Sequence, residues 1–205
     1  MSERFVPHPR RAVVAGVSLI AVVAVGAAAV PTGPLGVDRS WAEAVGDGAG
    51  GASKRLALVL DALGHGWWLA ATLAAIAVVL LVRRRWLALA AFALAEALSA
   101  LSATVLKILV DRPRPPGGLV HPAGSSYPSG HAAHAGVTCV ALVLLFTVPG
   151  PRRRLWWTLA ALGIAAMAWS RTYLRAHWLS DVVAGALLGI GVALLVFGAA
   201  QLRRR

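Results

Sequence analysis

Three short segments of this chain hold residue types suited to a phosphate group. The first runs from Lys107 to Pro115 and carries Lys107, Arg112 and Arg114, with Pro113 and Pro115 ending the helix before them. Lys107 and Arg114 are seven apart, so they share a helical face over two turns wherever the helix persists. The second, from Ser125 to His131, contains the turn Pro128, Ser129, Gly130 and then opens a helix. Ser129 is placed to cap that helix, whose free N–H groups and positive dipole end favour an anion. The third, from Ser170 to Asp181, holds Arg171, Arg175, His177 and Asp181. His177 and Asp181 are i and i+4, so on a helix the carboxylate accepts from one imidazole nitrogen and leaves the other free.

Each segment alone also fits a plainer reading: a snorkelling lysine with headgroup arginines, an ordinary capped helix, or a structural His–Asp pair. Together they supply cations, backbone donors, two histidines and an orienting carboxylate. That set suits phosphoryl transfer, in which fixed charges neutralise the equatorial oxygens while a nucleophile and a leaving-group acid stand in line. Metal is not required. The sequence shows no carboxylate cluster for magnesium, and the cationic surroundings disfavour the three or four convergent ligands that zinc needs. His134, one turn beyond His131, has no evident partner and reads as a packing or interfacial residue.

The elements that position these residues are membrane helices. Of 205 residues, 59% are apolar and 14% charged, which excludes disorder and an ordinary soluble domain. The single Cys139 excludes a disulfide scaffold and reads as a small apolar residue. Six apolar runs have nearly the length that a bilayer core demands: 12–30, 66–82, 86–110, 131–148, 155–169 and 182–200. The expected fold is therefore an all-α, six-span bundle forming one domain over residues 1–205. Twelve of the 20 basic residues fall on one side of such a bundle: Arg4, Arg10, Arg11, Arg83 to Arg85, Arg152 to Arg154 and Arg203 to Arg205. The positive-inside rule makes that side cytoplasmic, with both termini, and puts all three segments on the outer face. The net charge of +12 thus reads as topology rather than nucleic-acid binding. A basic start followed by an apolar run also resembles a signal peptide, but the run is long for one, and residues 12–30 are expected to be retained.

Residues 31–52 read as loop, marked by Pro31, Pro34 and glycines 48, 50 and 51, and Ser53 is expected to cap a short amphipathic helix up to Leu63 at the outer interface. Gly185 and Gly189 form a small-x3-small pair suited to close helix contact. Glu96, inside a span, is either a partner for a polar neighbour or the coupling residue of a transporter.

The blocks Lys107-x6-Arg114-Pro115, Pro128 to His131 and Ser170-Arg171-x5-His177-x3-Asp181 resemble the three-part signature of the type 2 phosphatidic acid phosphatase superfamily. The resemblance implies an integral-membrane lipid phosphatase without metal or other cofactor, and the short chain, compact loops and basic termini suggest a bacterial inner membrane. Its partners would be the bilayer and a lipid phosphate: undecaprenyl diphosphate, phosphatidic acid or phosphatidylglycerol phosphate. By the same resemblance His177 is the nucleophile of a phosphohistidine intermediate, Asp181 holds its ring, and His131 is the leaving-group acid. Lys107, Arg114, Arg171, Ser129 and Gly130 would bind phosphate. Arg112 and Arg175 would meet headgroup or solvent. A phosphotransferase on the same scaffold would pass the group to an alcohol instead of water.

Overall fold

The computed structural model describes residues 5–46 and 50–203. Arg4, Arg204 and Arg205, counted above among the basic residues, lie outside the described residues, as does Gly48 of the glycines that marked the loop. The described residues form eight helices and no strand: α1 (Pro9–Ala29), α2 (Gly36–Val45), α3 (Gly51–Leu63), α4 (Gly66–Val82), α5 (Trp86–Val110), α6 (Gly130–Phe146), α7 (Arg152–Tyr173) and α8 (Leu179–Leu202). All six predicted apolar runs are helical. By length and composition α1, α5 and α8 are each able to cross a bilayer. α3 and α4 together make a fourth candidate, bent by 60°. α6 is apolar but has only 17 residues, and α7 starts on three arginines and ends beside Arg171.

The helix α8 is the axis of the bundle, packing on α1, α5, α6 and α7. Its glycines let neighbouring backbones approach. A Cβ on Gly185 would run into the Ser129 carbonyl, and one on Gly189 into that of Ala133, so the small-x3-small pair is the α6 contact. On the opposite side Gly191 meets Gly16 of α1. Phe92, Val137, Leu144, Leu188 and Phe197 fill the space between α5, α6 and α8. Outward, Val14, Val22, Leu101, Ile108 and Leu162 are exposed, an apolar surface that requires lipid. The protein is an integral membrane protein.

Two ends can be told apart. At one, Gln201 Oε1 accepts from the N–H groups of Phe5 and Val6, Arg153 donates to the Phe5 carbonyl, and Arg85 to that of Leu145. The other end carries the three polar segments.

Residues 31–65 depart from expectation. α2 is a helix where a loop was predicted. Its Asp38, three residues after Leu35, accepts from the Leu35 N–H and starts the helix. α3 begins at Gly51 with Gly50 before it, so Ser53 lies inside the helix and is not its cap. Rather than only lying on the interface, α3 buries Ala57 against Tyr173 and Leu174, and the Ser170 hydroxyl donates to the Ala57 carbonyl.

Candidate active site

His177 lies in the turn between α7 and α8. After Tyr173 the chain reverses: Arg175 adopts φ 51°, and the N–H groups of Ala176 and His177 both donate to the Arg171 carbonyl. His177 is buried, with Nδ1 2.7 Å from the Ser126 carbonyl oxygen. A carbonyl only accepts, so Nδ1 carries the hydrogen and Nε2 keeps its lone pair. Arg114 Nη1 lies 3.3 Å from Nε2, as a donor facing that lone pair would. Burial pushes the imidazole pKa down to about 3; Asp181 opposes the shift, and Lys107 and Arg114 add to it. The result is a neutral imidazole whose Nε2 lone pair is oriented beside Arg114.

The expected pairing with Asp181 is looser than the i, i+4 spacing implied. α8 begins at Leu179, so His177 precedes the helix and the two residues do not share a helical face. Asp181 Oδ2 stands 3.7 Å from His177 Nδ1 and accepts instead from the Trp178 N–H at 2.8 Å, as an acid in a first helical turn does. Its Oδ1 accepts from Arg112 at 2.6 Å.

Arg112 is not at the headgroup level. Its side chain is fully buried, pairs with Asp181 and, at 2.8 Å, with Asp38 of α2, and donates to the Ser180 hydroxyl and the Gly33 carbonyl. Burial raises the Asp38 pKa, but the Ser180 and Leu35 N–H groups and Arg112 outweigh it and hold the carboxyl below its usual range. Sequence reasoning missed Asp38. The available signal was an acid three residues into a helix start.

Lys107 and Arg114 come together, though not by a shared helical face: α5 stops at Val110, with Asp111 at φ 42°, before the prolines. They meet because both donate to the Ser125 carbonyl, at 2.8 and 3.1 Å. Arg114 is further fixed by the carbonyls of Ala123, Gly124 and Ala176. Both cations lie within electrostatic reach of His131 as well as His177.

At the start of α6 the buried Ser129 hydroxyl faces the Ala132 N–H at 3.5 Å as a cap, and a Cβ on Gly130 would meet nothing. The open space beside the Gly130 backbone is where an anion can approach. His131 Nε2 lies 3.2 Å from the Asp61 carbonyl and 3.3 Å from its Oδ1, and Arg171, buried at the end of α7, is ion-paired with the same carboxylate. Nothing in the sequence singled out Asp61. Together with His65 and His131 it brings three donor atoms within 4.8 Å of one another, the donor types that bind zinc and a set the sequence did not reveal. Here the carboxylate is neutralised by Arg171, and the Asp61 carbonyl faces ring nitrogens of both histidines.

His134 does have a partner. Its Nδ1 is 2.7 Å from Glu96, whose other oxygen accepts from Thr138. An open groove of about 320 Å³ reaches His177 between Trp41, Pro115, Thr172, Arg175 and Trp178.

This helical architecture has known counterparts. Residues 85–205, more than half of the chain, match the PAP2 superfamily, and the chain belongs to that superfamily. An undecaprenyl-diphosphatase of Sulfolobus acidocaldarius is 39% identical over 74 residues, which is 36% of this chain and 33% of that protein. The match therefore spans about a third of the relative's length. Among solved structures, the fold resembles a transmembrane PAP2-type phosphatidylglycerolphosphate phosphatase from Bacillus subtilis with a TM-score of 0.69, at 26% identity and covering 90% of this chain and 94% of that one.

Proposed function

We propose that this protein is a lipid phosphatase that removes a terminal phosphate through a phosphohistidine intermediate. The observation that carries this reading is the His177 geometry: Nδ1–H held by the Ser126 carbonyl and an unprotonated Nε2 beside Arg114. Nε2 attacks phosphorus as the bond to the leaving oxygen breaks, and His131 gives that oxygen a proton. Water then attacks phosphorus as the N–P bond breaks, and His131 accepts a proton from that water, releasing phosphate and restoring the Nε2 lone pair. Lys107, Arg114, Arg171 and the Gly130 N–H neutralise the phosphoryl oxygens. Asp181 acts on His177 from 3.7 Å and through the loop it fixes.

The substrates that fit are undecaprenyl diphosphate, phosphatidic acid and phosphatidylglycerol phosphate, whose tails stay in the bilayer. Two relatives, an undecaprenyl-diphosphatase and a phosphatidylglycerolphosphate phosphatase, support the first and third. All six apolar runs serve as spans in this reading. Arg85 and Arg153 gather at the end opposite the site, which supports cytoplasmic termini and an outward site in a bacterial inner membrane. The partners of Glu96 remove the unexplained intramembrane charge on which a transporter would rest.

The test is phosphate release by purified protein in detergent with EDTA, offered each lipid separately beside a folded His177→Ala control, with transfer products assayed in parallel. Release that vanishes in the control is the expected result. Release that persists in His177→Ala would overturn the nucleophile assignment.

A further inference from the structure

Asp61 occupies a position that local preference does not explain. It lies in the last turn of α3, where the helix dipole disfavours a carboxylate. Its compensation is distant in sequence: the buried guanidinium of Arg171, with His131 Nε2 at 3.3 Å from the same Oδ1. One carboxylate oxygen thus bridges a cation and an imidazole, the two kinds of group that a phosphoryl oxygen needs here. The backbone is shaped for this approach. A Cβ on Gly64 would collide with the His131 ring, and the chain then turns by 60° into α4 through Gly66 at φ +55°.

We propose that Asp61 is a resident anion: it fills the place of a phosphate oxygen between Arg171 and His131 in the empty site, yields to the substrate phosphate, and returns to displace the product. This rests on the phosphatase reading of the same cradle. A terminal phosphate carries up to two charges and three acceptor oxygens, so it outcompetes a single carboxylate. The carboxylate in turn keeps the buried Arg171 paired when no ligand is present, since an unpaired buried charge is strongly disfavoured. The cost of displacing Asp61 is subtracted from the affinity for substrate and product alike, which keeps inorganic phosphate from accumulating on the enzyme.

The experiment compares full-length wild type with Asp61→Asn in detergent, using inorganic phosphate as the probe, by calorimetric titration and by inhibition of turnover. Asp61→Asn should bind phosphate at least about tenfold more tightly, with a lower inhibition constant and a lower KM. Its melting temperature without phosphate should fall, and phosphate should raise it further than in wild type. Equal or weaker phosphate binding by folded Asp61→Asn overturns the proposal. Phosphate binding to neither protein overturns the anion-cradle reading itself, and this inference with it. A measurement that needs no variant is hydrogen exchange of residues 57–65 in wild type: phosphate should speed exchange there by freeing α3, and unchanged or slower exchange at saturating phosphate also overturns the proposal.

Discussion

The Ser129 N–H donates to the Asp181 carbonyl oxygen at 3.0 Å. This bond ties the start of α6, which carries His131, to the start of α8, just beyond His177. The spacing of the two imidazoles is thereby anchored through the backbone rather than through the Asp181 carboxylate.

Asp181→Asn therefore leaves the backbone link and the Nδ1–H tautomer in place, because the Ser126 carbonyl selects that tautomer. The expected fall in kcat is well short of the roughly 10⁴-fold loss that a wrong tautomer causes in a serine protease. Steady-state kinetics on the folded variant check this; a loss as large as that of His177→Ala would make the carboxylate the true orienter.

The depressed pKa of His177 makes stability depend on pH with a definite sign. An unfolded imidazole titrates near 6.5 and the folded one near 3. Between those values the unfolded chain binds more protons, so the contribution is intact above about 6.5 and is lost as pH falls towards 3. Melting temperature should decline across this window more steeply in wild type than in His177→Gln. Parallel slopes would show that the ring is not buried neutral.

Glycine substitutions separate packing from ligand space. Gly189→Ala drives a methyl into the Ala133 carbonyl and should cost about 1–3 kcal/mol. Gly130→Ala meets no protein atom, so it should melt like wild type and yet bind inorganic phosphate more weakly. Undiminished phosphate binding in Gly130→Ala would place the anion elsewhere.

Arg112→Met leaves Asp38 and Asp181 as buried carboxylates without their cation. The expected loss is about 3–5 kcal/mol, read from thermal unfolding. Replacing Asp38 by Asn as well should recover part of it, since one of the two uncompensated charges is gone. A double variant no more stable than Arg112→Met would exclude charge burial as the cause.

Where one helix and its own hydrophobic run decide the outcome, the sequence reading was enough. The six apolar stretches became α1 and α4 to α8, and Gly185 with Gly189 announced a close helix contact. The pairing of residues far apart in the chain was not legible. Glu96 and His134 are separated by 38 positions, Asp61 and Arg171 by 110, and nothing in local spacing joins them. α2 escaped notice because it has only ten residues and sits between Pro31 and Pro34 on one side and a glycine cluster on the other, which read as loop; its place is set by Asp38 meeting Arg112 across 74 residues. The His177 and Asp181 spacing suggested a shared helical face, but the acid takes the helix-start role and the helix begins two residues after the histidine.

The central position of α8 bears on how the molecule is made. Its N-terminal turn contributes Asp181, one flank receives α6 and another receives α1. It also follows the other seven helices in the chain, so it is the last of them to leave the ribosome. Until it arrives, the backbone grooves on α1 and α6 have no occupant, Ser129 has no carbonyl to bond, and Arg112 lacks one of its two carboxylates. The candidate site is thus completed in a single late event of biogenesis, and a nascent chain arrested before residue 179 holds all three cations of the cradle, Lys107, Arg114 and Arg171, without an assembled centre.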